Sequence, residues 1–124
     1  MERKKIIKEY INAYNNFDIE KMLTHLDEHI KFENISNGVT NMTLTDLNSF
    51  RKQAEQAKKL FTTRKQTIKS WTHQDNLIEI EIEYNAVLAI DLSSGLKKGD
   101  NINLEGKSIF KFSGLKIIEL IDIS

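Results

Sequence analysis

The stretch Leu77-Ile-Glu-Ile-Glu-Ile-Glu-Tyr84-Asn-Ala-Val-Leu88-Ala-Ile90-Asp91 decides the fold class. Ile78, Ile80, Ile82, Tyr84, Ala86, Leu88 and Ile90 alternate with a largely polar set. A period of two puts one set on a buried face and the other in water, so the spacing predicts a long, half-buried strand of an antiparallel sheet. Downstream, Ser93-Ser94-Gly95 and Gly99-Asp100-Asn101 bound a loop. Ile102, Leu104, Gly106, Ser108, Phe110 and Phe112 then share one face of a second long strand. Ser113-Gly114 turns into a last strand over residues 116–123. Upstream, residues 63–73 read as a strand whose two faces differ little in polarity.

Before residue 63 the period changes. Ile7, Tyr10, Ile11 and Tyr14 recur at steps of three and four, one apolar stripe on a helix over about residues 2–16. Asp18 is suited to cap a second helix, with Ile19, Met22, Leu23 and Leu26 as its apolar side. Residues 29–35 revert to alternation, with Ile30, Phe32 and Asn34 on one face and His29, Lys31 and Glu33 on the other. Asn37-Gly38 marks a turn or loop, and Thr45 or Asp46 caps a third helix carrying Leu47, Phe50, Ala54, Ala57 and Phe61 on one stripe. Helices first and strands after, with one early strand between helices, predict an α+β domain with its helices on one face of an antiparallel sheet. No repeat or linker divides residues 1–124, so one domain is expected.

Composition removes several function classes. Eighteen basic and eighteen acidic residues cancel, so no global field favours nucleic acid or an anionic membrane. The absence of cysteine excludes disulfides, thiol catalysis and cysteine–zinc sites. No run nears the ~18 apolar residues of a membrane helix. Met1 to Tyr10 has charges without an apolar run behind them, so a cytoplasmic protein without a secretory leader is expected. His25 and His29, with Asp27, Glu28 and Glu33 nearby, superficially suggest a metal cluster. A helix ending between the two histidines and an outward phase for His29 argue against it, so no metal and no cofactor is expected.

Two stretches carry a resemblance. Tyr10-Ile-Asn-Ala-Tyr-Asn-Asn-Phe-Asp18, followed by Met22, Leu23 and Leu26, resembles the opening helical pair of nuclear transport factor 2-like proteins. Phe110-Lys-Phe-Ser-Gly-Leu-Lys-Ile-Ile118 resembles that superfamily's closing hairpin. The branch suggested is that of SnoaL-like polyketide cyclases and ketosteroid isomerases. The resemblance implies a cone: N-terminal helices in the concave face of a strongly curved, mostly antiparallel sheet, with a pocket at its open end. Ketosteroid isomerases use a carboxylate base and a tyrosine–carboxylic acid pair that stabilises the oxyanion. By resemblance the tyrosine falls on Tyr10, the base on Asn34 and the acid on Ser108. A neutral amide cannot serve as the base, and Glu33 lies on the opposite face, so that chemistry is not expected.

The polar residues on apolar faces define a candidate site. Tyr10, Tyr14, Asn34, Tyr84 and Ser108 are expected ligand contacts, with Trp71 as a pocket wall. Asp122 shares the phase of Ile118 and Leu120 and is the one candidate catalytic carboxylate. Three functions fit this set: a pocket for a small, mainly apolar molecule; a non-catalytic module that works through a dimer surface; or an acid/base isomerase, cyclase or lyase using Asp122. The last strand is also apolar on its outward phase, where Ile117, Ile121 and Ile123 join Ile109 and Val87. Exposed apolar surface of this kind marks an interface, so a homodimer through the outer face of the sheet is expected. Light scattering on a size-exclusion column should give twice the 14.4 kDa chain mass, and Ile121→Lys should shift it to one chain. A wild-type mass of one chain at micromolar concentration overturns the expectation.

Overall fold

The computed structural model describes residues 2–124. Helix α1 spans Glu2–Asn15 and α2 spans Ile19–Leu23; strands β1 (Leu26–Ser36) and β2 (Val39–Leu44) follow, then α3 (Leu47–Lys58). Four strands complete the chain: β3 (Phe61–Gln74), β4 (Leu77–Leu88), β5 (Asn101–Ser113) and β6 (Lys116–Ile123). All six strands form one sheet in the order β2-β1-β6-β5-β4-β3. Every pairing is antiparallel except β1 with β6. The expected α+β class holds, with the helices on the apolar face of the sheet. No helix among the described residues is long and apolar enough to cross a membrane.

The stripes do what their spacing dictates. Ile6, Ile7, Tyr10 and Ile11 of α1 meet Ile78 and Ile80 of β4, Phe110 and Phe112 of β5 and Leu120 of β6 in a single core. Asp46 caps α3, its Oδ1 accepting from the Ser49 amide at 2.7 Å. At the start of α1, Arg3 bonds the Gly114 carbonyl and the Asn76 side chain, tying the helix to two hairpin turns. The other end of α1 leaves the sheet incompletely filled, and two hollows lie there.

Four expectations are corrected. Leu26 opens β1 rather than closing α2, and it is buried there. Phe61 begins β3 and is not on the α3 stripe. Residues 39–44 form an additional strand. Asn37 (φ 53°) and Gly38 (φ 77°) both adopt the left-handed conformation of a two-residue hairpin turn, which folds β2 back on β1. The inward phase of β6 also slips. A bulge in β6, across from Lys111 and Phe112 of β5, sets Phe112 opposite Ile117 but Lys111 opposite Glu119. Ile118 is the extra residue, and Ile117, expected outside, is fully buried in the core. Ile109, Ile121, Ile123 and Val87 remain half-buried, off the core phase. Ile109 and Ile121 face each other across β5 and β6.

Phe50 anchors α3 through a T-shaped contact with the Phe32 ring, centroids 5.4 Å apart. Phe50→Ala should cost roughly 3–5 kcal/mol in denaturant unfolding, as large core truncations do. A loss below about 1 kcal/mol would mean that this face of α3 carries no packing.

Candidate functional site

Two adjoining hollows lie between the C-terminal half of α1, α3 and the sheet. The inner, about 160 Å³, is lined by Tyr10, Phe32, Leu44, Phe50, Arg64 and Asp122, among others. The outer, about 390 Å³, is lined by Asn34, Phe61, Gln66, Tyr84, Gly106 and Asp122, among others. Tyr14, Ala57 and Asp122 border both, so they stand at the junction. Gly106 lets β5 and β6 close the outer floor, because a Cβ there would lie 2.7 Å from the Ile123 carbonyl oxygen. A larger groove, about 580 Å³, runs outside between α1 and α2 past Glu9, Asn12, Asp18 and Lys21. Its lining is solvated and brings no buried polar groups together, so it is the weaker candidate.

Asp122 is held by register. It pairs with Ser108 across β5 and with Asn34 across β1, so all three point to the same side of the sheet. The buried Ser108 hydroxyl donates to Asp122 Oδ1 at 2.7 Å. Burial pushes the carboxyl from its ordinary value of 3.8 up to about 6, and the Ser108 bond offsets only part of that. What remains open of the side chain faces the two hollows it borders.

The tyrosines surround it. Tyr10 is 7% exposed, and its ring meets Phe110 edge-on at 5.8 Å. Its hydroxyl finds no hydrogen-bond partner among the described residues, and burial followed by the charge of Asp122 holds its pKa far above the ordinary value. Tyr14 donates to the Tyr84 hydroxyl at 3.0 Å. Burial raises the pKa of both, so all three phenols stay protonated donors across physiological pH. Asn34 lines the outer hollow, but its amide is engaged with Asn41 Oδ1 at 2.9 Å across the β1–β2 hairpin.

Trp71 lies elsewhere. It sits far along β3, beneath Lys4 near the start of α1, with the ammonium 4.8 Å from its ring. His73 stacks beside it at 6.5 Å, and neither hollow touches it. His25 and His29 approach separate glutamates, Glu9 at 3.7 Å and Glu28 at 3.3 Å, and among the described residues no three candidate ligands converge on a metal position.

Two site residues escaped the sequence reading. Arg64 and Gln66 on β3 are 4% and 8% exposed. Arg64 Nε donates to the Tyr14 carbonyl at 2.8 Å, and its guanidinium lies 3.7 Å from the centre of the Tyr14 ring and 4.6 Å from that of Phe17. Arg64 Nη2 and Gln66 Oε1 are buried without hydrogen-bond partners among the described residues. Burial at alternate positions of a strand was the available signal, but arginine and glutamine there read as solvated.

No family model and no curated protein matches the sequence. Solved structures do match in fold. A protein from Xanthomonas campestris, provisionally named a polyketide cyclase, superposes with a TM-score of 0.83 at 16% identity, covering 99% of this chain and 90% of that one. A nuclear transport factor 2-like protein of unknown function from Burkholderia pseudomallei gives 0.78 at 9% identity, covering 98% and 89%. TerC, co-crystallised with polyporic acid, gives 0.77 at 10% identity, covering 99% and 91%. Cystatin-fold and SnoaL-like proteins are similar in the same way. The chain therefore has the nuclear transport factor 2-like, SnoaL-like cone fold.

The Asp122 carboxyl couples this site to stability. The folded chain keeps its proton up to about pH 6, whereas the unfolded chain releases it near 3.8. Between those values the folded state binds more protons, so stability falls as pH rises and stays at the lower level above about pH 6. The effect is on the order of 2–3 kcal/mol. Asp122→Asn keeps an acceptor for Ser108 and removes the charge, so it should gain roughly 2 kcal/mol over wild type at pH 8 and little at pH 4. A difference that does not vary with pH in urea unfolding would contradict this account of the carboxyl.

Proposed function

We propose that this protein holds a small, mainly apolar carbonyl compound in the two hollows and that Asp122 is its general acid/base. The observation that carries the reading is the position of Asp122: one carboxyl at the junction of both hollows, bonded by a single hydroxyl, with a pKa of about 6. A group with that pKa is divided between its two forms near neutral pH, as proton transfer requires. The carboxylate would take a proton from carbon next to the carbonyl. The C–H electron pair would then become the new C=C bond, and the carbonyl oxygen would carry the negative charge. Tyr10, with an uncommitted hydroxyl in the inner hollow, would donate to that oxygen. The similar fold of TerC, co-crystallised with polyporic acid, supports a ligand-holding role without identifying the ligand.

The reading leaves out isomerisation of steroid enones. Asn34 stands at the position that the resemblance assigns to the base, and its amide is tied to Asn41. Ile109, Ile121 and Ile123 on the other face of the sheet favour a homodimer, an arrangement compatible with open hollows.

The test is proton exchange. Small cyclic ketones incubated with the protein in deuterated water should exchange their α-hydrogens faster than in buffer, with a rate rising through about pH 6. Asp122→Asn should lower that rate at least ~100-fold, the contribution usual for a general base. Binding without exchange would reduce the protein to a carrier, and exchange that survives Asp122→Asn would place the base elsewhere.

A further inference from the structure

Arg64 is a buried cation without a counter-ion. It is 4% exposed, lines the inner hollow and makes no ion pair within 4.0 Å among the described residues. Of its donors, only Nε is used, on the Tyr14 carbonyl, and Nη2 is buried and unpaired. A guanidinium cannot escape this cost by losing its proton. Stacking on Tyr14 at 3.7 Å and Phe17 at 4.6 Å recovers part of the lost hydration. Neither ring supplies a hydrogen-bond acceptor to Nη2, which stays unsatisfied. Asp122 borders the same hollow yet does not pair with it, so the arginine is not there to hold that carboxylate.

We propose that Arg64 binds an anionic oxygen of the ligand, so that the inner hollow takes a single planar ring bearing a carboxylate. The inference deepens the reading of the two hollows as a ligand site and rests on it. Size sets the ring count: the inner hollow is about 160 Å³, and an engineered apolar cavity of about 150 Å³ holds one benzene. Its walls are Tyr10, Phe32, Leu44 and Phe50, flat or aliphatic surfaces suited to the faces and edge of one ring. A planar carboxylate matches the planar fork of a guanidinium, whereas an ammonium or a neutral amide does not. With the carboxylate at Arg64, the rest of the molecule extends past Asp122 into the outer hollow.

Benzoate, benzamide and benzene serve as probes, measured by calorimetry and ligand-observed NMR at about pH 6. Benzoate should bind wild type at least ~10-fold more tightly than benzamide, the preference expected of a charge-assisted pair in a desolvated site. Adding benzoate, but not benzamide, should shift the Arg64 side-chain nitrogen resonances, a readout that needs no variant. Arg64→Met should erase the preference for benzoate while leaving benzamide and benzene bound. Arg64→Lys should keep a weakened preference, because the charge remains and the fork is lost. Equal binding of benzoate and benzamide would overturn the role of Arg64 while leaving the pocket reading intact. A preference that survives Arg64→Met would overturn it as well. Failure of all three probes to bind would overturn the ligand site itself, and this proposal with it.

Discussion

The join between the last turn of α1 and the edge strand β3 positions Tyr14, Arg64 and Gln66 at the two hollows. β3 is the outermost strand on its side of the sheet, so one edge of its backbone has no neighbouring strand. Asn15 takes that place at Gln66: its Oδ1 accepts from the Gln66 amide at 2.8 Å and its Nδ2 donates to the Gln66 carbonyl at 3.1 Å. One residue earlier, the Tyr14 carbonyl accepts from Arg64. The helix then stops in a Schellman arrangement, with the Asp18 amide on the Ala13 carbonyl and the Phe17 amide on that of Tyr14. Glycine usually fills the left-handed position of this motif, but here it is Phe17, at φ 58°. Such a conformation costs of order 1 kcal/mol or more for a side chain with a Cβ. The aromatic ring that glycine would lack stacks on Arg64, so strain in the backbone and stabilisation of a buried charge occur at the same residue.

From that join follows the electrostatic character of the hollow. Arg64 is fixed by helix and ring contacts on the β3 side, and Asp122 by Ser108 near the end of β6. Had the two met, the pair would have neutralised itself and lowered the carboxyl pKa. Held apart, each keeps an unmet demand: the arginine for an anion, the carboxyl for a proton. Both demands cost folding free energy, and buried polar groups of this kind collect where a ligand satisfies them. The tyrosines between them are apolar in their rings and polar only at hydroxyls, so they bridge the two ends without quenching either.

Much of the fold was legible because its long elements obey a single period. The alternation from Ile78 to Leu88 and the stripe from Ile7 to Tyr14 lie where their spacing put them. What escaped was local. β2 is short, with only Met42 and Leu44 half-buried on one face, and only its Asn37-Gly38 turn announced it. Ile117 was read outward because a bulge changes phase without any mark in a run of isoleucines. The inward phase of β3 is carried near the site by Arg64 and Gln66, so the polarity rule that exposes the other strands misleads there. Asp122, Ser108 and the three tyrosines were visible as polar groups on apolar faces, which is why they could be named as candidates. Trp71 could not be placed, because sequence fixes the side of a strand a residue faces but not its distance from one end of α1.

The parallel pairing of β1 with β6 bears directly on which chemistry the hollow supports. It sets Asn34 beside Asp122, on the same side of the sheet, and both line the outer hollow. A carboxylate at position 34 would therefore face a second carboxyl on the adjacent strand, and the two would titrate as a coupled pair. With a neutral amide there, the upward shift of Asp122 comes from burial, against which Ser108 acts. Its proton is then governed by one environment and not shared across two groups. Asn41, in turn, holds the Asn34 amide across the hairpin, so the neutral neighbour is itself anchored by β2. The additional strand thus reaches the candidate site: by fixing the amide at 34, it keeps Asp122 the one acid at the junction of the two hollows, beside phenols that remain protonated.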